Sequence, residues 1–306
     1  MSRSTLNILL TTDERYAQHC AVCLRSIIDN NPDSQLNVVI AGLDLSLNTQ
    51  KKLSDTAKGA HCEVRYTAFD AHKLADFPQI GIYPKDIYLR LWVEDFFPNE
   101  ERVLYLDVDI IVVDSLKPLF ELDMKGNLLA AVDIPDATSH DRCHLPTEYN
   151  YFNSGVLLFN VPLWTSGNCR ELVRKFLVSN AEIALNPDQD ALNGCFYDRR
   201  ITLGYEWNLI SPFFRKEGFP SISPVDMGKI RQSAKVIHFN GAGGKPWQFT
   251  SLHPYQPKYM AYLKETPYHD FLPPDFSMLN SVKKQLRKHF GLDGFAPMKP
   301  NELKGN

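Results

Sequence analysis

Apolar and polar positions along the chain alternate between two periods, one of strands and one of helices. Leu6–Thr12 is a short apolar run of strand length, and Tyr16–Ile28 sets Ala17, Cys20, Ala21, Leu24 and Ile28 on one helical face. Asn30-Asn31-Pro32-Asp33 stops that helix. Leu36–Ala41 predicts a second strand, Ser46 caps a helix reaching about Ala57, and Cys62–Thr67 predicts a third strand. Asp86–Phe97 reads as helical and ends at Pro98. Glu101–Asp114, ERVLYLDVDIIVVD, then reads as a fourth strand buried on both faces. Beyond it, Leu128–Val132, Val156–Phe159 and Val236–Phe239 predict strands. Pro162–Ser179 predicts one helix, and Asn186-Pro187-Asp188-Gln189-Asp190 opens another. Strand–helix alternation of this kind predicts a mostly parallel sheet covered by helices on both faces. In such sheets ligands bind beyond the carboxyl ends of the strands, which puts Thr11-Thr12-Asp13 and Asp107-Val108-Asp109 on one rim.

The fourth strand carries the chemistry. Strand alternation sends Asp107 and Asp109 to the same face. Two carboxylates at the edge of a buried sheet either hold a hard divalent cation, Mn²⁺ or Mg²⁺, shared with phosphate oxygens, or stay solvated at a turn. Gly241-Ala-Gly-Gly244-Lys245, which follows the strand at Val236–Phe239, is able to wrap N–H groups and an ammonium around phosphates. Its spacing is not that of an NTPase P-loop.

Composition narrows the picture only a little. With 306 residues, 44% hydrophobic and 23% charged, the chain is an ordinary globular protein, and a net charge of -3 gives no reason to expect a nucleic-acid partner. Cys20-Ala-Val-Cys23 lacks the second pair that zinc needs and reads as buried thiols on one helix face. No stretch has the pattern of a secretory signal or a membrane span.

Several blocks, taken in order, carry a family resemblance. They are Thr11-Thr12-Asp13 with Tyr16, Tyr88-Leu-Arg90, Leu104-Tyr-Leu-Asp-Val-Asp109, Tyr151-Phe-Asn153-Ser-Gly155, Pro187-Asp-Gln-Asp190-Ala-Leu-Asn193, and His238-Phe-Asn-Gly241 with Lys245-Pro246-Trp247. Over roughly residues 6–250 the chain resembles the retaining glycosyltransferases of family eight, which include glycogenin and bacterial lipopolysaccharide galactosyl- and glucosyltransferases. The resemblance implies a GT-A fold with a single Rossmann-like nucleotide-sugar domain, a UDP-galactose or UDP-glucose donor, and Mn²⁺, with Mg²⁺ as the substitute. It implies Asp107, Asp109 and His238 as metal ligands. Asp13 and Tyr16 would hold the uridine beside Thr11 and Thr12, while Gly241 and Lys245 would bind the diphosphate. Arg90 and Asp188 would contact the donor sugar near Asn153, with Asp133 at sugar and acceptor.

These residue types suit the reaction. Breaking an anomeric C–O bond leaves negative charge on the diphosphate, which a divalent ion and Lys245 can neutralise as it forms. The sugar becomes oxocarbenium-like and wants carboxylates and hydroxyl-binding groups around it, and Asp188 and Asp190 open a helix in that region with Gln189 between them. Gln189 is a poor nucleophile, so retention favours front-face attack in which the departing phosphate takes the acceptor's proton. Two other readings stay open. One is a haloacid-dehalogenase-type phosphotransferase, although its Asp-x-Asp normally follows the first strand. The other is a nucleotide-sugar binding protein without turnover.

The tail adds a location. Residues 1–255 are expected to form the catalytic domain and 256–306 a C-terminal extension. Within the extension, Phe276, Leu279, Val282, Leu286 and Phe290 make one apolar helical stripe, flanked by Lys283, Lys284, Arg287 and Lys288. Such a helix either packs back on the domain or binds an anionic membrane surface. With the resemblance, the second reading gives a peripheral enzyme at the inner face of the cytoplasmic membrane, acting on an oligosaccharide or lipid-linked saccharide of the lipopolysaccharide or lipooligosaccharide core.

Overall fold

The structure is a computed structural model that describes residues 4–241, 244–292, 294–296, 298 and 303; Ala242 and Gly243 of the glycine-rich loop lie outside the described residues, as do 299–302 and 304–306 of the expected extension. The first half runs β1 (Thr5–Thr11), α1 (Ala17–Asn30), β2 (Gln35–Gly42), α2 (Leu47–Thr56), β3 (Cys62–Ala68), a 3-10 stretch at Lys85–Trp92, α3 (Val93–Phe96), β4 (Arg102–Leu106) and β5 (Ile110–Val112). It continues through α4 (Lys117–Phe120), β6 (Leu129–Asp133), α5 (His140–Cys143), β7 (Phe152–Asn160), α6 (Val161–Ser166), α7 (Cys169–Ser179) and α8 (Pro187–Phe196). The last elements are β8 (Arg200–Leu203), β9 (Leu209–Ile210), α9 (Pro224–Ser233), β10 (Val236–His238), α10 (Gln256–Lys264) and α11 (Met278–His289).

Seven strands make one sheet in the order β3-β2-β1-β4-β7-β6-β8. Pairing is parallel for β1–β2, β2–β3, β1–β4 and β6–β8, and antiparallel where β7 joins β4 and β6. The mostly parallel α/β sheet expected from the pattern is therefore present. Its apolar runs are continuous because both faces are covered. Leu9, Val103 and Tyr105 enter one buried cluster, while Leu6, Ile8, Leu10, Leu104 and Leu106 enter the other. Full burial of one such aliphatic side chain contributes about 1.5–3 kcal/mol. Cys20 and Cys23 are buried, and burial pushes both thiols up, as expected for inert core residues.

Three local expectations change. Glu101–Asp114 is not one strand: β4 ends at Leu106, and Ile110–Val112 belongs to a separate three-stranded sheet, β5-β10-β9. The Asp107 N–H donates to the Gly155 carbonyl at 2.8 Å, and the Asp109 carbonyl accepts from Phe239 N–H at 2.9 Å. Asp107–Asp109 is thus the crossing between the two sheets, and the carboxylates converge because of that crossing rather than by strand alternation. Asp86–Phe97 is mainly 3-10, with only α3 as a single α-helical turn. Pro162–Ser179 breaks into α6 and α7, because Asn168 between them takes a left-handed conformation with φ 48°. The buried face of α10 contributes Tyr259, Tyr262 and Leu263 to a third buried cluster with Val22, Ile111 and Phe239.

Candidate active site

The carboxyl ends of β1 and β4 lie side by side, since Leu10 pairs with Leu106, so Thr11-Thr12-Asp13 and Asp107–Asp109 do share a rim. β10 approaches from the small sheet, where His238 pairs with Ile110. One ligand atom from each of Asp107, Asp109 and His238 lies within 4.8 Å of the others. His238 Nε2 is 3.1 Å from Asp109 Oδ1 and 3.6 Å from Asp107 Oδ2. The other oxygen of each carboxylate is already engaged. Asp107 Oδ1 accepts from the Tyr105 hydroxyl at 2.6 Å and pairs with Arg90 at 3.0 Å, while Asp109 Oδ2 pairs with Lys245 at 2.7 Å. Burial alone raises the Asp109 carboxyl, but His238 and Lys245 outweigh it and hold the group well below the usual range.

Two carboxylate oxygens and one imidazole nitrogen are a donor set that suits Mn²⁺ or a similar hard-to-borderline cation. Gly155 on β7 forms the wall of this cluster. A Cβ there would sit 2.3 Å from His238 Cε1 and 2.7 Å from Asp107 Oδ2, so only glycine lets the strand come so close. These residues fit a divalent ion.

Beside the cluster lies a buried charge network. Arg90 bridges Asp107 and Asp188, the latter at 3.1 Å, and donates to the Ser154 carbonyl at 3.0 Å. Burial opposes its charge, yet Asp107 and Asp188 raise its pKa above the ordinary value. Asp188 is raised by burial, an effect only partly offset by Arg90. Gln189 Oε1 accepts from Asn153 Nδ2 at 2.8 Å and from Ser154 N–H at 3.0 Å. Asp190, two positions past Asp188, is wholly buried and accepts from Arg142, Tyr151 and the Leu185 and Asn186 N–H groups.

The expected nucleotide residues sit at the rim. Asp13 Oδ1 accepts from Tyr16 N–H at 2.8 Å in the turn that leads into α1. The Tyr16 ring is 38% exposed and stands edge-on to His19 and Trp247. Thr12 is buried and N–H-bonded to Ala41. Thr11 Oγ1 lies 3.2 Å from the Tyr105 hydroxyl, one step from Asp107. Gly241 takes φ 79°, the left-handed turn that starts the phosphate-loop candidate. Asp133 is not brought into the network. It pairs with Arg200 at 2.6 Å and accepts from Asn150 at 3.1 Å, lining a separate cavity of about 190 Å³ with Tyr149 and Tyr197.

Sequence reasoning missed two contributors. His19 stacks on Trp247 with ring centres 3.7 Å apart, and its Nδ1 lies 2.6 Å from the Tyr259 hydroxyl. Burial lowers its pKa to about 4, so the ring is a neutral aromatic platform beside Tyr16. It also lies one turn along α1 from Tyr16, a spacing that could have flagged it. Asn208 accepts from His238 Nδ1 at 3.0 Å, and no local motif signals it.

A mostly parallel sheet with an Asp-x-Asp crossing and a histidine from the second sheet defines a GT-A glycosyltransferase fold. Solved structures agree: the galactosyltransferase LgtC, crystallised with donor and acceptor sugar analogs, superposes with a TM-score of 0.76 at 22% identity, covering 88% of this chain and 98% of that one. The chain belongs to glycosyl transferase family 8, whose model matches residues 7–251. It is 31% identical over 255 residues to a lipopolysaccharide 1,2-glucosyltransferase of Escherichia coli, covering 80% of this chain and 74% of the relative. It is also 27% identical over 273 residues to general stress protein A of Bacillus subtilis, covering 85% and 94%. A lipopolysaccharide 1,3-galactosyltransferase of Salmonella typhimurium is 24% identical over 277 residues, covering 86% and 79%. This membership gives no support to a phosphotransferase of the haloacid-dehalogenase type.

Proposed function

We propose that the protein moves a galactose or glucose from a UDP-hexose to a saccharide acceptor, with retention of anomeric configuration and with Mn²⁺, or Mg²⁺ in its place. The observation that carries this reading is the Asp107–Asp109–His238 cluster walled by a glycine that no side chain could replace. The bound ion would supply charge neutralisation to the diphosphate leaving group. Lys245, now on Asp109, is within reach of the same charge, and one such donor is worth about 3 kcal/mol in the transition state. Tyr16, with His19 and Trp247 behind it, offers an aromatic surface for uracil, and Asp13, Thr11 and Thr12 border it. Gly241 opens the loop that would follow the diphosphate. Arg90 and Asp188 would orient the sugar hydroxyls, and Asn153 and Gln189 would support its ring. Asp133, on the β6 rim, would face the acceptor side.

Slow hydrolysis of UDP-glucose, UDP-galactose and UDP-N-acetylglucosamine with Mn²⁺ tests this reading. One of the two hexoses should release UDP, and a chelator should stop it. Tight UDP–Mn²⁺ binding with no hydrolysis or transfer from any of the three would instead support the binding protein without turnover.

The location rests on α11. Leu279, Val282, Leu286 and Phe290 are 50–64% exposed, while Phe276 at the start of the stripe stands edge-on to Phe249 with ring centres 4.8 Å apart. The helix is also held by its polar edge. Lys284 donates to the Phe249 carbonyl at 2.7 Å, and Asp275 accepts from the Phe249 N–H at 2.7 Å and the Thr250 N–H at 3.0 Å. No helix among the described residues is long and apolar enough to cross a membrane. An exposed stripe flanked by Lys283, Arg287 and Lys288, each contributing about 1 kcal/mol near an anionic leaflet, supports reversible binding at the inner face of the cytoplasmic membrane. The lipopolysaccharide transferases among the relatives favour a lipid-linked core saccharide as acceptor. Full-length protein should float with anionic liposomes at low salt, and a chain ending at Pro273 should not. Equal behaviour of the two would sink the membrane assignment.

A further inference from the structure

We propose that Asn208 is a positioning residue that fixes the His238 ring toward the metal cluster and ties it to the Gln189 amide through Asn153. This inference rests on the metal reading above. The observation is an unbroken string of hydrogen bonds across the site. His238 Nδ1 is 3.0 Å from Asn208 Oδ1, and Asn208 Nδ2 donates to Asn153 Oδ1 at 2.7 Å. Asn153 Nδ2 donates to Gln189 Oε1 at 2.8 Å, and Gln189 Nε2 donates to the Tyr151 hydroxyl at 2.8 Å. The Tyr151 hydroxyl in turn donates to Asp190 Oδ1 at 2.5 Å.

The direction of every bond in the string is forced. A backbone N–H can only donate. Ser154 N–H points at Gln189 Oε1 at 3.0 Å, and Gly155 N–H points at Asn153 Oδ1 at 2.9 Å. These consecutive β7 groups therefore decide which end of each amide is oxygen. Asn153 Oδ1 must then receive the Asn208 amide N–H, which turns Asn208 Oδ1 toward His238. An oxygen facing Nδ1 requires a proton there, which leaves Nε2, 3.1 Å from Asp109 Oδ1, as the nitrogen that can give its lone pair to an ion held between it and the carboxylates. That is the presentation a nitrogen ligand needs, and such partners of ligating histidines matter for affinity. Asn208 itself is 1% exposed, with its N–H held by the Tyr205 carbonyl at 3.0 Å, so it is a rigid part of the frame.

Asn208 therefore has two separable duties: its oxygen serves His238 and its amide N–H serves Asn153 and Gln189. The test uses Asn208→Leu, which removes both, and Asn208→Asp, which keeps the oxygen and removes the donor. Mn²⁺ affinity is read by electron paramagnetic resonance without nucleotide, and the His238 tautomer by ¹⁵N resonance in the metal-free protein at a pH where the ring is neutral. Asn208→Leu should weaken Mn²⁺ roughly 10–100-fold and reduce the Nδ1–H tautomer. Asn208→Asp should keep Mn²⁺ affinity near the wild-type value while kcat falls and the donor KM changes little. A folded Asn208→Leu with wild-type Mn²⁺ affinity and tautomer overturns the proposal. Should Asn208→Leu not fold, Asn208→Asp decides: retained Mn²⁺ binding with lower kcat supports it, and lost Mn²⁺ binding or unchanged kcat overturns it. Failure of the metal reading itself shows separately, as absent Mn²⁺ binding in the wild type, and the tautomer shift in the variants then decides.

Discussion

The chain carries two Asp-x-Asp patterns near the same cleft, Asp107-Val-Asp109 and Asp188-Gln-Asp190, and the structure uses them in opposite ways. In the first pair each carboxylate has one oxygen held by the protein and one turned toward His238. The second pair has no such oxygen turned to a shared point. Asp188 is occupied by Arg90 and Ser154, and Asp190 by Arg142, Tyr151 and two backbone N–H groups. Equal spacing therefore says little about function. What separates the pairs is where their oxygens lead: Asp107 and Asp109 each turn one oxygen to the same buried imidazole, a convergence that a cation can complete, whereas Asp188 receives Arg90 and Ser154 on Oδ2 and Asp190 takes donors on both oxygens.

The sharpest way to break this contrast is Asp109→Asn. It removes a ligand oxygen's charge while preserving shape, so UDP binding that depends on Mn²⁺ should vanish. Turnover should fall at least about 10²–10³-fold. The variant should keep its circular dichroism spectrum, because Lys245 can turn to water. Calorimetry that finds unchanged UDP affinity in the presence of Mn²⁺ would reject the ligand assignment.

The contrast also explains what the sequence could and could not tell. The apolar runs of β1, β2 and β4 are legible because both faces of each strand are covered, so no alternation interrupts them. The rim was legible for the same reason, since parallel strands end together. The crossing at Asp107–Asp109 was not. Ile110–Val112 is as apolar as β4, and nothing local says that it leaves for a second sheet; only the pairing with Val236–His238, distant in sequence, decides that. Asp188 and Asp190 looked alike as a helix start. Their difference comes from Arg90, Arg142 and Tyr151, which tertiary packing delivers. Asn208 was invisible for that reason too. In the tail, the stripe was legible but not the choice of its edge, which depends on Lys284 finding the Phe249 carbonyl.

If Asp190 is consumed by structure, Asp190→Asn should damage stability more than chemistry. The substitution leaves Arg142 facing an amide and puts an N–H₂ among donors. Breaking a buried pair of this kind costs about 3–5 kcal/mol. Denaturant unfolding should therefore shift strongly, while Mn²⁺ affinity of the folded fraction changes far less. A variant that keeps wild-type stability but loses the metal would place Asp190 in the first class of carboxylate, and the contrast between the two pairs would collapse.

The smallest expected effect belongs to the residue between the two aspartates of the second pair. Both ends of the Gln189 amide are committed, the oxygen to Asn153 and Ser154 and the nitrogen to Tyr151. An amide held this way is a rigid support for a bound sugar, and its oxygen is not free to attack without losing those donors. Front-face attack asks no more of it than that. Gln189→Ala should then leave measurable transfer, reduced by roughly 10–100-fold rather than to background, because a supporting contact costs far less than a covalent nucleophile. The product anomer should remain retained, read by proton NMR of the new linkage. Mass spectrometry should find no sugar on residue 189 of the wild-type protein during turnover. A folded Gln189→Ala at background activity, or a trapped glycosyl adduct at that position, would make Gln189 a nucleophile and place the chemistry on α8 instead of at the metal cluster.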